Sequence, residues 1–370
     1  MDNAMADTNI TVIGAGVTGL TTAFLLSKNK RNKITLVAKF MPGDFDIEYT
    51  SPWAGANFLP MGAEGSDQAR YETNTWPWLS NLAKNHPEAG IHFQQCKLHT
   101  LAKDIGARGS LFAESRDKLP WWKDVVPDFV SSVGSDGSIH YSFTSVCINI
   151  AIYLPWLLSK CLEEGVNIRR GVIGFVTDAA DLHHNGKADI VINCTGLQSR
   201  KLGGVEDKSL VAVRGQTVLV RNDGGPMFGI SSIDNGGREY EGSYSMTRAA
   251  GGGTILGGTF DPTNESPIPD LNIAVRIMEH AVKLNPHLTG GTGKIDDLDI
   301  VRHGVGLRPL RPQGPRVGEV DVIRGVQVVH SYGHGSWGYQ GSMGSAKEIE
   351  RVVAQIEQQK KTAGKVLSKL

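Results

Sequence analysis

Three features of this sequence predict an α/β fold with a Rossmann-like domain and a second, sheet-rich domain. The first is an apolar β-prone run, Thr8 to Ile13, that ends in glycines spaced G-x-G-x-x-G (Gly14, Gly16, Gly19) and continues into a helix-prone run, Leu20 to Leu26. Gly14 permits the turn off the strand, Gly16 leaves room for a pyrophosphate against the backbone, and Gly19 lets the helix pack on the sheet. The helix N-terminus adds unpaired N–H groups and partial positive charge. In a chain with 45 glycines the motif alone is weak; the flanking strand and helix give it weight. The second feature is a buried-strand pattern, Ala188 to Cys194, that stops at Thr195-Gly196 as if at the carboxyl edge of the same sheet. The third is a change after Val211 to short strands divided by turns, the signature of an antiparallel sheet.

Composition sets the outer limits. At 370 residues and 40% apolar content the chain can hold two cores. Its 38 basic residues balance 38 acidic ones, which gives no reason to expect nucleic acid or a membrane surface. Cys96, Cys147, Cys161 and Cys194 form no C-x-x-C pair and read as reduced core residues, not a disulfide frame or a metal site. No apolar run reaches membrane-spanning length, and Met1 to Asp7 lacks the basic region of a signal peptide. Ser368-Lys369-Leu370 spells a peroxisomal address for an import receptor.

Taken in order, Lys33 to Ala38 is the second strand of the nucleotide domain. An acidic residue is expected about 20 residues past the fingerprint to hold a ribose. Ala38, Lys39 and Phe40 stand there instead; a cation could meet a 2′-phosphate, which keeps NADP in view and leaves the choice between flavin and nicotinamide to the rest of the chain. Tyr49 to Pro60 places small residues between two prolines and suits either a ligand-facing backbone or an ordinary loop. Asp67 to Ala83 reads as an amphipathic helix, Gly90 to Leu101 as strands, and Trp121 and Trp122 as packing residues. Gly137 to Phe143 alternates as a strand, Ile148 to Leu162 is a helix with Pro155 as kink or boundary, and Val166 to Val172 is strand-like. Beyond Val211 the expected strands are Val211–Arg221, Gly237–Met246, Gly253–Phe260, Ile295–Gly306 and Gly325–Ser331. Helices are expected over Ile273–Leu284 and Lys347–Gln359.

Three clusters in the last third carry chemistry. Tyr240 and Tyr244, four apart on an expected strand, fall on one face; they are either site residues or half-buried sheet aromatics. Arg308, between Gly306-Leu307 and Pro309, has the restricted freedom that suits a carboxylate fork, against the alternative of a surface arginine beside a turn. His330 to Gly341 is a glycine-rich loop between a strand and the last helix. A serine hydrolase would need G-x-S-x-G, but His334 precedes Ser336 by two and Gln340 precedes Ser342 by two. His330 and His334 lie on strand and loop, without the helical H-E-x-x-H pattern of zinc sites, and no metal is expected.

Together these stretches resemble the D-amino-acid oxidase family of flavoenzymes. The resemblance rests on Val12 to Leu20, Thr50 to Pro60, Asn193-Cys194-Thr195-Gly196, Tyr240 with Tyr244, Gly306-Leu307-Arg308-Pro309 and Tyr332-Gly333-His334-Gly335, which follow family order over nearly the whole chain. It implies an FAD-binding domain from discontinuous segments (1–60, 141–205, 301–370) and a substrate domain with a large mixed or antiparallel sheet (61–140, 206–300). FAD would rest on Gly14, Ala15, Gly16, Val17, Thr18, Gly19, Lys39, Thr50, Ser51, Ala54, Gly55, Ala56, Asn57, Val172, Thr195, Gly196 and Gly335, Ser336, Trp337, Gly338, Tyr339, Gln340. Arg308 would pair with the substrate carboxylate, with Tyr244 adding a hydrogen bond and Tyr240 covering the site. The Ser336 carbonyl would accept from the amine.

The implied reaction moves the Cα hydrogen of a free D-amino acid as hydride to flavin N5. The imino acid then hydrolyses to a 2-oxo acid and ammonia, and O2 reoxidises the flavin with release of hydrogen peroxide. Catalysis here is largely positioning. Peroxide gives the peroxisomal address a purpose. The run after Tyr244, Ser245-Met246-Thr247-Arg248, is more polar than the family pattern, so side-chain preference is open. A D-aspartate oxidase would need a second cation, for which Arg238 and Arg248 are candidates. An NADP-dependent reductase gains only from Lys39, a pure binding module would not need the tyrosine–arginine set, and a homo-oligomer stays open.

Overall fold

The computed structural model describes residues 7–105, 117–231 and 240–367. Arg238 and Ser368-Lys369-Leu370 lie outside the described residues.

The first elements are β1 (Thr8–Ile13), α1 (Val17–Ser27), β2 (Asn32–Ala38), α2 (Asp67–Asn85), β3 (Ile91–Thr100), β4 (Val130–Val133) and β5 (Ile139–Ile148). They are followed by α3 (Ile150–Glu163), β6 (Asn167–Arg170), β7 (Ile190–Asn193), β8 (Val211–Val220), β9 (Met227–Ile230), β10 (Glu241–Thr247) and β11 (Thr254–Thr259). The chain ends with α4 (Leu271–Leu284), β12 (Ile300–Leu310), β13 (Arg316–Ile323), β14 (Val326–Tyr332) and α5 (Ser342–Leu367). Two compact units emerge: unit 1 from Met1–Asp44, Leu154–Val211 and Pro309–Leu370, unit 2 from Phe45–Tyr153 and Ala212–Arg308.

Unit 1 holds a six-stranded sheet in the order β13-β14-β7-β1-β2-β6. Its inner pairs are parallel, and only β13 joins antiparallel, at one edge. β7 is buried at every residue, the continuous apolar run that a parallel strand covered on both faces requires. α1 is buried nearly all round. Its threonines tolerate this because Thr21 and Thr22 donate their hydroxyls to the carbonyls of Val17 and Thr18 at 2.7 and 2.8 Å. A 3-10 segment, Val176–Leu182, packs Val176, Ala179 and Ala180 against Ile13, Val191 and Val328.

Unit 2 holds an eight-stranded sheet in the order β12-β8-β11-β10-β9-β3-β5-β4. It is mixed: β3 pairs antiparallel with β5 and parallel with β9. α4 lays Ala274, Ile277, Met278 and Ala281 on Val218, Val220 and Leu256. Asp270 caps it, accepting from the N–H groups of Asn272 and Ile273. Ser66 caps α2 by accepting from the Ala69 N–H.

Several expected elements differ in detail. Pro155 lies inside α3, and Pro77 inside α2. Ile295–Asp297 is a 3-10 turn, so β12 starts at Ile300 and runs through Arg308-Pro309 to Leu310 instead of ending at Gly306. α5 is longer than expected at both ends. The strands β4, β9 and β13 had no counterpart in the sequence reading. The segment 45–60 belongs to unit 2, because Ala56 exchanges backbone hydrogen bonds with Ile148 and the Phe58 N–H donates to the Val146 carbonyl of β5. All four cysteines are free and buried.

Candidate active site

In unit 1 three loops meet at the carboxyl ends of β1, β7 and β14. Gly14 takes a φ of 108°, and a Cβ there would stand 2.5 Å from the Cys194 carbonyl oxygen. A Cβ on Gly19 would overlap the Gly14 carbonyl oxygen. Gly338 lies beside Val17, where an added Cβ would be 3.7 Å from its Cγ1, so the Gly335–Gln340 loop reaches the start of α1. Thr195 is fixed by Asn193, whose Oδ1 accepts from the Thr195 N–H and hydroxyl at 3.1 and 2.8 Å. Gly196 follows at φ 57°.

The electrostatics suit an anion. Gly16 caps α1 without a side chain, and the first turn holds no acidic residue, so the helix's own residues leave its positive end unneutralised. At the end of β2 the Lys39 ammonium sits 4.5 Å from the Phe40 ring centroid. Arg170 bridges from β6, donating to the Asp44 carboxylate at 2.6 Å and to the Lys39 carbonyl at 3.1 Å. That hydrogen bond holds the Asp44 carboxyl below its usual pKa. The Val172 side chain is exposed, and so is Ser336.

In unit 2 the centre is Arg308. It donates from Nη1 to the Thr259 carbonyl at 3.0 Å, lies 5.4 Å from the Phe260 ring centroid, and hydrogen-bonds Tyr244. Burial pulls its pKa down from the ordinary guanidinium value, and the Tyr244 phenol opposes that; arginine still remains charged. Among the described residues no carboxylate forms an ion pair with it. Two strand glycines clear the space. A Cβ on Gly215 would come within 2.6 Å of the Arg308 Cζ, and one on Gly257 would overlap the Tyr244 phenol. A glycine inside a strand marks such a close approach, a signal the sequence reading did not use.

Tyr240 does not join this group. It precedes β10, its side chain is exposed, and its backbone carbonyl accepts from the Phe260 N–H at 2.8 Å. The expected shared face fails because the register shifts between Glu241 and Tyr244: Glu241 pairs with Thr259 but Tyr244 with Gly257, an extra residue that breaks the alternation. Phe260, which the reading passed over, takes the place beside Arg308.

Thr50 to Asn57 also lie in unit 2. The Thr50 hydroxyl donates to the Leu307 carbonyl at 2.6 Å, and Trp53 packs on Gly306, where a Cβ would be 2.5 Å from its own. Arg248 donates to the carbonyls of Gly55 and Ala54 at 2.6 and 2.9 Å and is 5% exposed.

The family model of the FAD dependent oxidoreductases called DAO matches residues 9–351. The chain is 47% identical over 354 residues to a D-amino-acid oxidase of Fusarium vanettenii, covering 94% of this chain and 97% of that protein. The chain belongs to the D-amino-acid oxidase family. A D-amino-acid oxidase of Schizosaccharomyces pombe is 35% identical over 91% of this chain and 94% of its own length. At 29%, a D-aspartate oxidase of Talaromyces thermophilus is more distant. Among solved structures, glycine oxidase from Geobacillus kaustophilus has a TM-score of 0.70 at 17% identity, covering 94% of this chain and 95% of that one. That likeness carries the fold.

Membership of this family makes FAD the cofactor, and the unit 1 loops fit it. The glycine backbone at Gly14 and Gly19 leaves no Cβ in the cradle, and the uncapped start of α1 offers its dipole to a diphosphate. No cluster of three or more His, Cys, Asp or Glu residues suited to a metal exists among the described residues.

Proposed function

We propose that this oxidoreductase takes free D-amino acids and converts them to 2-oxo acids, ammonia and hydrogen peroxide. The observation that carries the reading is Arg308: a half-buried cation with no carboxylate among the described residues to pair with, held open by Gly215 and flanked by Tyr244 and Phe260. A planar guanidinium so placed favours a substrate carboxylate held by two parallel hydrogen bonds. Tyr244 supports the same carboxylate through its hydroxyl, and the Phe260 ring limits water beside the pair. When bound, FAD supplies a two-electron acceptor that oxygen can regenerate, with peroxide as the product. No protein base is needed if the amine enters neutral, and the chain's part is then to orient the Cα–H bond.

The acidic-substrate alternative needs a further cation. Arg248 is taken up by the carbonyls of Ala54 and Gly55, which favours substrates without a second carboxylate. The test compares D-alanine, L-alanine and D-aspartate on flavin-loaded protein, reading peroxide and the flavin spectrum. D-Alanine should turn over with one peroxide per ammonia, at least tenfold faster than D-aspartate, and L-alanine not at all. Equal rates for the two alanines would overturn the reading.

Peroxide production makes a catalase-containing compartment a fitting destination, and we propose import through Ser368-Lys369-Leu370. Removing Leu370 should leave a tagged protein in the cytosol with its activity intact; unchanged peroxisomal location would defeat this.

A further inference from the structure

The outer face of the unit 2 sheet is covered unevenly. α4 shields the β8–β11 half with its apolar stripe and ends at Leu284, where a cavity of about 310 Å³ opens over β9, β3, β5 and β4. This is the lower end of the size range of small-molecule sites. It lies on the sheet face opposite Tyr244. Phe228 and Ile230 of its lining pair with Ser245 and Ser243, and neighbouring residues of a strand point to opposite faces.

The chemistry of this cavity is built rather than incidental. His99 of β3 and His140 of β5 are register partners whose rings stack at 4.3 Å with 22° between planes. Behind them Ser138 donates its hydroxyl to the Asp136 carboxylate at 2.6 Å, and so must accept, at 3.0 Å, from the His140 Nε2–H. His140 is thereby fixed in one tautomer. The Nε2 of His99 is buried with no hydrogen-bond partner among the described residues, which marks this side chain as one under polar strain beside the cavity. Lys97 stands next on the same face, 5.6 Å from the Phe228 ring centroid and without an ion pair among the described residues. Among the described residues the lining holds Lys97 and two imidazoles but no Asp or Glu; Val130, Ile230 and Leu284 supply apolar wall.

We propose that this cavity is a second ligand site, for a small anion with a flat apolar body. Lys97 meets the anionic group beside the stacked His99 and His140 imidazoles, while the body lies on the Phe228 and Ile230 wall. The site is independent of the D-amino-acid reading, since it shares no residue with the Arg308 cluster. The titratable groups around it are Lys97, His99, His140, Tyr141 and Asp136. Burial, then the neighbouring His140, lowers the His99 pKa, so His99 itself gains its charge only below the ordinary imidazole range.

The probe is 2-naphthalenesulfonate, which stays anionic throughout, titrated calorimetrically into the full-length flavin-loaded protein. Parent and Arg308→Ala proteins should bind it alike, Lys97→Met should bind at least tenfold more weakly with unchanged D-alanine turnover, and the neutral sulfonamide should bind at least tenfold more weakly than the sulfonate. Lowering the pH from 8 to 5.5 should tighten parental binding about threefold or more. Equal binding by Lys97→Met, loss of all binding in Arg308→Ala, or no difference between sulfonate and sulfonamide would each overturn the proposal.

Discussion

A Cβ added at Gly14 or Gly19 of unit 1 would strike a backbone carbonyl, whereas one added at Gly215 or Gly257 of unit 2 would strike the working end of a side chain, Arg308 or Tyr244. The first pair shapes a cradle out of main chain, which has nowhere to move. The second pair makes room for side chains, which can move but then lose their aim. On the proposed function, one residue type would serve folding and cofactor binding in one unit and substrate geometry in the other, and the two uses should separate cleanly on mutation.

The largest effect is expected at Gly19. Its Cβ would overlap the Gly14 carbonyl oxygen within the tight turn, and neither strand β1 nor helix α1 can retreat without opening the core around Ile13 and Leu20. Overpacking of a core costs about 1–3 kcal/mol and more where backbone must shift. Gly19→Ala should lower the melting temperature by several degrees or more and abolish FAD retention on gel filtration. A variant that keeps its flavin and its parental melting temperature would refute the backbone cradle.

Next come Arg308 and its glycine. Arg308→Ala leaves a substrate carboxylate partly desolvated and unpaired, at a cost of about 2–5 kcal/mol, or roughly 30- to several-thousand-fold in kcat/KM. Arg308→Lys keeps the charge without the fork and should fall between. Gly215→Ala keeps the guanidinium but displaces it, since its Cζ would lie only 2.6 Å from the new methyl. A misplacement of about 1 Å costs on the order of 100-fold, so kcat/KM should fall roughly 10- to 100-fold. Both proteins should retain FAD and parental melting behaviour. Steady-state kinetics with D-alanine beside the flavin spectra decide it. A Gly215→Ala protein that loses flavin along with activity would erase the contrast between the units.

The contrast also explains what was legible in the sequence. The unit 1 cradle is local: Gly14, Gly16 and Gly19 act within one strand–turn–helix, so their spacing gives them away. The Arg308 site is assembled across β8, β10, β11 and β12, and only Arg308, by virtue of Pro309, and Tyr244, by its spacing from Tyr240, stood out. The shared face expected of Tyr240 and Tyr244 failed because a bulge leaves no mark in a pattern of alternating residues. Phe260 was missed because an aromatic at a strand end has many ordinary explanations. β4 escaped because Val130 to Val133 is exposed throughout, and β13 because Gly318 interrupts it and its alternation, Glu319-Val320-Asp321-Val322, is only four residues long. Gly215 and Gly257 were readable in principle, as glycines interrupting apolar strands.

The smallest expected effect concerns acid stability, and it again divides along the cradle. Two imidazoles are buried in unit 1 beside the glycine-rich loop. His330 is fully buried, with Nε2 3.1 Å from the Asp321 carboxylate and Nδ1 3.3 Å from the Asn193 amide nitrogen. His334 faces the Ser345 hydroxyl at 3.1 Å. Burial pushes both pKa values down to about 4, helped at His330 by the Arg316 charge and opposed there by Asp321. In the unfolded chain each titrates near 6.5. Between about pH 4 and 6.5 the unfolded state thus binds more protons, and stability must rise with pH across that window. The contribution is complete above about pH 6.5 and drains away on acidification towards pH 4. His334→Gln, which removes one of the two groups but keeps a hydrogen-bonding side chain, should lower the slope of melting temperature against pH by up to about half, whatever it does to the melting temperature at neutral pH. Because the slope rather than the absolute stability is read, a generally weakened variant still gives an answer. A slope identical to the parent's between pH 4.5 and 6.5 would show that His334 is not held neutral by the fold.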